Sequence, residues 1–309
     1  MVENRILTRE ETDKALARKR TKSKVGKIVA MSCIYLVLLI LYAPLIYVTL
    51  FSFSSHGITG LWGADGFTFK NYQLLFDVVG NVYSSEIWNA ALNTVLVAVV
   101  SGIISTVLGT LGAIGIYYLR KKWMRNAMDF ATQIPIVNAE IVTAVSLVIL
   151  FVFITKYLGI ERNFLTLIIG HVVLTIPYVV ISVQPKLEQM DPSLYEAAMD
   201  LGATQTQALW KVIIPDIVPG ILSGFMLSVT LSLDDFVITA FTKPGEVPWS
   251  ETKFHTLSTY VDSKLAKGGL PTHFRAFTAI LFAVILIVMI VMNIKSALDA
   301  KKLYRKGAK

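Results

Sequence analysis

DPSLYEAAMDLGATQTQALWKVIIP, residues 191–215, is a polar stretch set between two very apolar segments. Asp191 is placed to accept a backbone N–H at a helix start, and Pro192 suits the first helical position. A short helix through Tyr195, Glu196, Ala197, Ala198 and Met199 follows, and Gly202 is positioned to end it in a left-handed turn. Thr204 with Gln207 reads as a reciprocal cap that opens a second short helix, which Pro215 is expected to stop. A rigid helix–turn–helix between membrane segments suits presentation to a partner. The competing reading is an amphipathic loop that only packs on the membrane surface.

The flanking segments decide the class. Of 309 residues, 54% are hydrophobic and only 16% charged, which excludes an ordinary soluble domain. Charge-free runs cover 28–53, 87–119, 141–155, 163–185, 217–233 and 276–294. Most are long enough to cross roughly 30 Å of hydrocarbon at about 1.5 Å per residue. The run 141–155 must recruit residues from about 137, and 217–233 must continue past Asp234 and Asp235 to about Thr242. The expectation is an all-α integral membrane protein with six spanning helices, at about 27–53, 88–119, 134–155, 163–184, 214–241 and 274–296. The chain then divides into a basic tail (1–26), one six-helix membrane domain (27–296) carrying the 191–215 loop, and a second basic tail (297–309).

Basic residues orient it. With both termini inside, the inner segments hold 21 Lys and Arg and the outer loops 8. The positive-inside rule therefore places both termini and the 191–215 loop in the cytoplasm. The same bias accounts for the net charge of +8 without nucleic acid. The Arg18–Lys22 cluster reads as a stop-transfer signal touching anionic lipid. The long apolar core after it, with no small-residue cleavage site, reads as a retained signal anchor. One cysteine, Cys33, allows no internal disulfide.

The outer loop 54–87 carries Trp62, Phe67, Phe69, Tyr72 and Phe76, which suit an interfacial belt or local packing, with an extracytoplasmic partner as the alternative. The loop 243–273 is expected to form a re-entrant or capping segment with a short helix near 254–263. Gly102, Gly109 and Gly112 approach one face of the second helix and suit close packing. His171, alone in the fourth helix, reads as a packed, hydrogen-bonded histidine rather than a ligand. No phosphate-binding GxxxxGK[ST] stretch occurs, so no cofactor is expected in this chain.

Three acids interrupt the apolar pattern. Asp234 and Asp235 sit inside SVTLSLDDFVITAF, residues 228–241, where each unpaired Asp costs roughly 2.5–3.5 kcal/mol near a helix centre. Such residues face a protein interior or water and are functional candidates by default. Ser232, three residues before Asp235, adds a hydroxyl on a similar face. Glu140 follows Pro135: it is mid-membrane for a helix starting near 127, and nearer the cytoplasm where Pro135 breaks that helix. The alternative for all three is a structural ion pair or a helix-cap carboxylate. No Lys or Arg is found inside the apolar helices to pair with them. That leaves a cationic cargo, or a cation from a neighbouring subunit.

Glu196-Ala197-Ala198, three residues, Gly202, nine residues and then Val212-Ile213-Ile214-Pro215 resembles the EAA loop of ABC-importer permeases. Leu231-Ser232-Leu233-Asp234-Asp235-Phe236-Val237 resembles the LS-x-DD-x-V segment of PotC-type spermidine/putrescine permeases. So do Tyr42-Ala43-Pro44-Leu45, Phe51–Ser55, Phe67–Tyr72 and Glu140-Ile141-Val142 before Ser146-Leu147. The resemblance spans roughly residues 28–295. It implies a type I ABC-importer permease fold with a cytoplasmic EAA coupling helix, in a bacterial inner membrane. It implies coupling through Glu196, Ala197, Ala198, Gly202 and Pro215, and a polyamine path lined by Asp234, Asp235, Glu140 and Ser232. It further implies a PotB-like second permease, a PotA-like ATPase dimer that binds ATP and Mg, and a PotD-like extracytoplasmic binding protein. Two other readings stand beside it. An ABC permease for an anion or metal chelate would prefer basic sites. An ion-coupled secondary transporter would show inverted repeats and have no need of the 191–215 loop.

Overall fold

The computed structural model describes residues 9–54, 66–159, 163–244 and 254–307. Trp62 and the Pro248-Trp249 turn lie outside the described residues. Every named element among them is helical. In order they are α1 (Arg9–Phe51), α2 (Lys70–Phe76), α3 (Val82–Tyr117), α4 (Lys122–Val137), α5 (Glu140–Leu158), α6 (Phe164–Gln189), α7 (Pro192–Asp200) and α8 (Gln205–Ala208). A π turn (Leu209–Ile213), α9 (Ile214–Asp234), α10 (Val237–Thr242), α11 (Leu257–Ala266) and α12 (Phe274–Gly307) follow. Six helical stretches are long and apolar enough to cross a membrane: Val29–Phe51, Val82–Tyr117, Glu140–Tyr157, Phe164–Gln189, Gln205–Asp234 and Phe274–Val291. Contacts divide the chain into two compact units, Met1–Ser84 with Pro271–Lys309, and Ser85–Leu270.

In the first unit, α12 packs on α1 and α2. From Arg9 onward the basic tail is helical and runs without interruption into the apolar span. Every side chain from Val29 to Tyr47 is exposed, as befits a helix apolar on all sides that meets lipid or another subunit. The chain beyond α1 is closed by Asn71, whose amide donates to the carbonyls of Ser52 and Ser54, each at 2.8 Å. The Ser52 hydroxyl meets the Tyr72 phenol at 2.8 Å. Phe53 packs against Phe67, Phe69 and Tyr72 with ring centroids 4.6, 5.6 and 5.0 Å apart. Of the outer-loop aromatics named from the sequence, Phe67, Phe69 and Tyr72 thus pack locally. Arg275, in the first turn of α12, is only 9% exposed. It corrects the expectation that the apolar helices hold no base: its charge sits at the helix start, just ahead of the charge-free run.

The second unit is built on the α6–α9 pair. One apolar cluster joins Ala113, Ile114 and Ile116 of α3 to Val179, Val180, Val183 and Leu187 of α6 and to Ile213 and Ile217. Small residues permit the close approach. A Cβ on Gly109 would lie 2.7 Å from Val179 Cβ, and one on Gly102 would lie 2.7 Å from Val229 Cγ2. Gly112, grouped with them by spacing, has 3.9 Å to Val180 and imposes no such limit. Helix α6 opens on Asn163, whose side chain accepts from the N–H groups of Leu165 and Thr166. Helix α5 ends at Gly159 in the left-handed conformation, φ 69°.

Three expected boundaries move. The third span does not begin near 134: α4 carries Pro135 in its last turn, the chain turns at Asn138 and Ala139, and a new helix starts at Glu140. The fifth span does not run on to 241. It stops at Asp234 and restarts at Val237, because Asp235 takes an extended conformation (φ −66°, ψ 125°) that its side chain stabilises. The short outer helix begins three residues later than expected, at Leu257, where Thr256 and Thr259 cap each other.

Candidate functional site

The interrupted fifth span brings Asp235 and His171 together. Both carboxylate oxygens of Asp235 turn onto the start of α10. Oδ1 accepts from the Ile238 N–H at 3.2 Å, and Oδ2 from the Thr239 N–H at 2.8 Å and the Thr239 hydroxyl at 3.0 Å. A negative charge at a helix N-terminus is favoured by the backbone dipoles and satisfies donors that the helix itself leaves open. The backbone carbonyl of Asp235, freed by the break, accepts from the Ser258 hydroxyl of α11 at 3.0 Å. Asp235 is 7% exposed.

His171 on α6 is fully buried beside it. Its Nε2 lies 3.0 Å from the Thr239 hydroxyl and 3.8 Å from Asp235 Oδ2. Its Nδ1 lies 2.8 Å from the Ser232 hydroxyl, which in turn lies 3.1 Å from Ser101 of α3. Thr175 donates to the His171 carbonyl at 2.8 Å and meets Ser105 at 2.6 Å. Gly170 makes the contact possible. A Cβ there would stand 2.8 Å from Ile238 Cγ2 and 3.0 Å from Thr242 Oγ1, so only glycine lets α10 come this close. The sequence foresaw His171 as packed and hydrogen-bonded. Its link to the acidic pair was missed, because the two are 64 positions apart and only the α6–α10 approach joins them.

Asp234 is placed differently. It is the last residue of α9 and is exposed. Among the described residues its carboxylate has no hydrogen bond and no ion pair. It stands at the C-terminal end of a long helix, where unpaired carbonyls already make the potential negative. Glu140 is also exposed and unpaired among the described residues, but it opens α5, at the favourable end of a helix. It lies one turn before Ala144, and Asp234 lies four residues before Ile238; Ala144 and Ile238 share a cluster with Leu147, Phe151 and Leu174. Ser232, 3% exposed, faces His171 and not open space.

The 191–215 loop folds largely as its spacing predicts. The Asp191 carboxylate accepts from the Ser193 N–H at 2.9 Å, and that bond holds it below the usual carboxylate range. Gly202 has φ 85°; its N–H bonds Met199 O at 2.9 Å and that of Ala203 bonds Ala198 O at 3.0 Å, a Schellman closure. Thr204 and Gln207 cap each other at 3.0 and 3.3 Å. Tyr195 packs on the α3–α6 cluster, while Glu196, Ala197 and Trp210 face outward. Pro215 does not stop the second helix. The preceding π turn bonds the Ile214 N–H to Leu209 O, five residues back, which absorbs the donor that proline lacks and lets the helix run on. Gln205–Asp234 is therefore one 30-residue helical stretch, roughly 45 Å long. It carries the 191–215 loop at one end and Asp234 at the other.

Residues 105–304 match the family model described as binding-protein-dependent transport system inner membrane component. The chain is 32% identical over 263 residues to the spermidine/putrescine transport system permease protein PotC of Escherichia coli (strain K12), covering 84% of this chain and 89% of that one. It is 32% identical over 209 residues to the putrescine transport system permease protein PotI of the same strain, covering 66% and 71%. Its fold is similar to that of a bacterial ABC transporter involved in the import of the acidic polysaccharide alginate (TM-score 0.60, 17% identity, 89% of this chain and 97% of that one). It is also similar to the MetNI methionine ABC transporter in an inward-facing conformation (TM-score 0.51, 18% identity, 68% and 92%). The six spans, the type I importer fold and the match to the family model over residues 105–304 place this chain in the family of binding-protein-dependent transport system inner membrane components, as a multi-pass inner membrane permease.

Proposed function

We propose that this chain forms the translocation path for spermidine or putrescine in an ATP-driven importer. The observation that carries the cargo assignment is Asp234: a carboxylate exposed, and unpaired among the described residues, at the negative end of an interrupted membrane helix. A carboxylate there is relieved by a cation, and a polyamine brings ammonium groups. Glu140, exposed at the start of α5, offers a second carboxylate for the same extended cation. Neither is caged, which suits a site that must release its cargo.

The loop at the other end of the same helix is the coupling element. Glu196 and Ala197 face out to meet a partner ATPase, PotA-like and present as a dimer, which would bind the ATP and Mg that this chain does not. Ala198 and Gly202 shape the turn, and Pro215 with its π turn keeps the rod continuous. A push on the loop then moves the α6–α9 pair and the Asp234 end together. A PotB-like second permease would complete the path, and a PotD-like binding protein would deliver cargo from outside. Both termini lie in the cytoplasm on this reading, following the excess of basic residues in those segments.

The test is uptake of labelled putrescine and spermidine by the complete importer in cells lacking other polyamine uptake. Wild type is expected to take up at least one of them, and Asp234→Asn is expected to lose about tenfold or more in rate. Wild-type uptake by Asp234→Asn overturns the site; uptake of neither compound overturns the cargo.

A further inference from the structure

The two adjacent aspartates look like one doubled charge, yet their surroundings are opposite. Asp235 is buried and accepts from three donors, whereas Asp234 is exposed and accepts from none among the described residues. We propose that His171 and Thr239 are positioning residues that hold Asp235 as an internal helix cap, so that of the adjacent pair only Asp234 meets the cargo. This deepens the polyamine-path reading and rests on it.

The hydrogen bonds fix their own directions. An ionised carboxylate only accepts, so the Thr239 hydroxyl donates to Asp235 Oδ2. Having spent its proton, that oxygen accepts from His171, which therefore carries a proton on Nε2. With the imidazole neutral, Nδ1 is left to accept from the Ser232 hydroxyl. Each donor along Ser232, His171, Thr239 and Asp235 thus finds an acceptor. The chain of bonds ties α9, α6 and α10 into one piece around the break. The extended conformation of Asp235 ends α9 one residue earlier and turns Asp234 outward. Removing a link lets Asp235 leave the cap, and Asp234 loses its placement without being touched.

A carboxylate kept for its charge and one kept as a cap respond differently to substitution. Asparagine keeps one accepting oxygen for the cap and no charge, whereas alanine keeps neither. The experiment measures initial uptake of labelled putrescine at limiting concentration by the complete importer, with each variant's membrane level determined by immunoblot. Asp235→Asn is expected to keep at least about a third of wild-type uptake, and Asp235→Ala to lose about tenfold. His171→Gln, whose amide donates from nearly the place of Nε2, is expected to recover most of what His171→Leu loses. Thr239→Val, which keeps shape and removes the hydroxyl, is expected to match His171→Leu.

A double-mutant cycle supplies the readout that a purely structural role would not move. His171→Leu is expected to cost little further in an Asp234→Asn background, because positioning an absent charge has no effect. Equal losses in Asp235→Asn and Asp235→Ala make Asp235 a cargo ligand and overturn the proposal, as do losses at His171 and Asp234 that simply multiply. Should His171→Leu fail to accumulate, the Asp235 pair decides alone. Wild-type uptake by Asp234→Asn refutes the site reading on which this rests instead, while the Asn–Ala difference at Asp235 still reports the cap.

Discussion

Between α4 and α5 the chain turns at Asn138 and Ala139 with no side chain capping the new helix, and the polar contact nearby is a long one, Asn138 to Thr143 at 3.4 Å. Between α9 and α10 it turns at Asp235 and Phe236 inside a buried set of bonds from three helices and α11. Each break lies at the edge of a membrane span and each sits beside an acid. The first is open, and Glu140 stands exposed at the end of a helix that welcomes its charge. The second is built, and it separates two neighbouring carboxylates into a held one and a free one. An acid in an apolar stretch is therefore not yet a role; which end of which helix it occupies, and what already bonds it, assigns one.

The built break should be fragile where the open one is tolerant. Gly170→Leu drives a side chain into space held by Ile238 and Thr242, where even a Cβ stands 2.8 Å from Ile238. Overpacking of this kind costs about 1–3 kcal/mol or more, and transport assays should find uptake abolished with the chain still in the membrane. Glu196→Lys leaves both breaks intact and reverses the charge that, on the proposed function, the loop offers to a partner ATPase. Co-purification of that partner should fall about tenfold, which sets loss of drive apart from loss of path. Glu140→Gln is expected to lower uptake by about threefold, less than at Asp234, because only an exposed charge at a favourable helix end is removed. Thr143→Val tests the open break itself and should change uptake by less than about twofold, since a 3.4 Å exposed contact contributes little.

The smallest effect concerns pH at the coupling loop. The Ser193 N–H holds the Asp191 carboxyl below its ordinary range. A group depressed in the folded state stabilises above its unfolded value and loses that contribution as pH falls through its lowered one. The protection of the Ser193 amide against hydrogen exchange, relative to its intrinsic rate at each pH, should therefore fall only in acid. Asp191→Asn should keep the cap and remove the pH dependence.

Much of this was legible in the chain. Asp191, Gly202 and the Thr204–Gln207 pair act within four residues of themselves, and local chemistry fixes them. The six spans follow from the absence of charge. Pro215 misled, because a missing N–H can be absorbed by a wider turn as well as by a helix end, and which occurs depends on Ile213 and Ile217 packing against α3 and α6. The break at Asp235 was hidden for a related reason. Asp234 and Asp235 look alike in sequence, and only the approach of α10 to Gly170 and His171 tells them apart.

The most direct test compares Asp234→Asn with Asp235→Asn, each in the complete importer, at matched membrane levels, by initial putrescine uptake. The two changes remove the same charge from adjacent positions. A path charge at Asp234 and a cap at Asp235 predict a loss of about tenfold or more for the first and no more than about threefold for the second. Equal losses, or the reverse order, would contradict it.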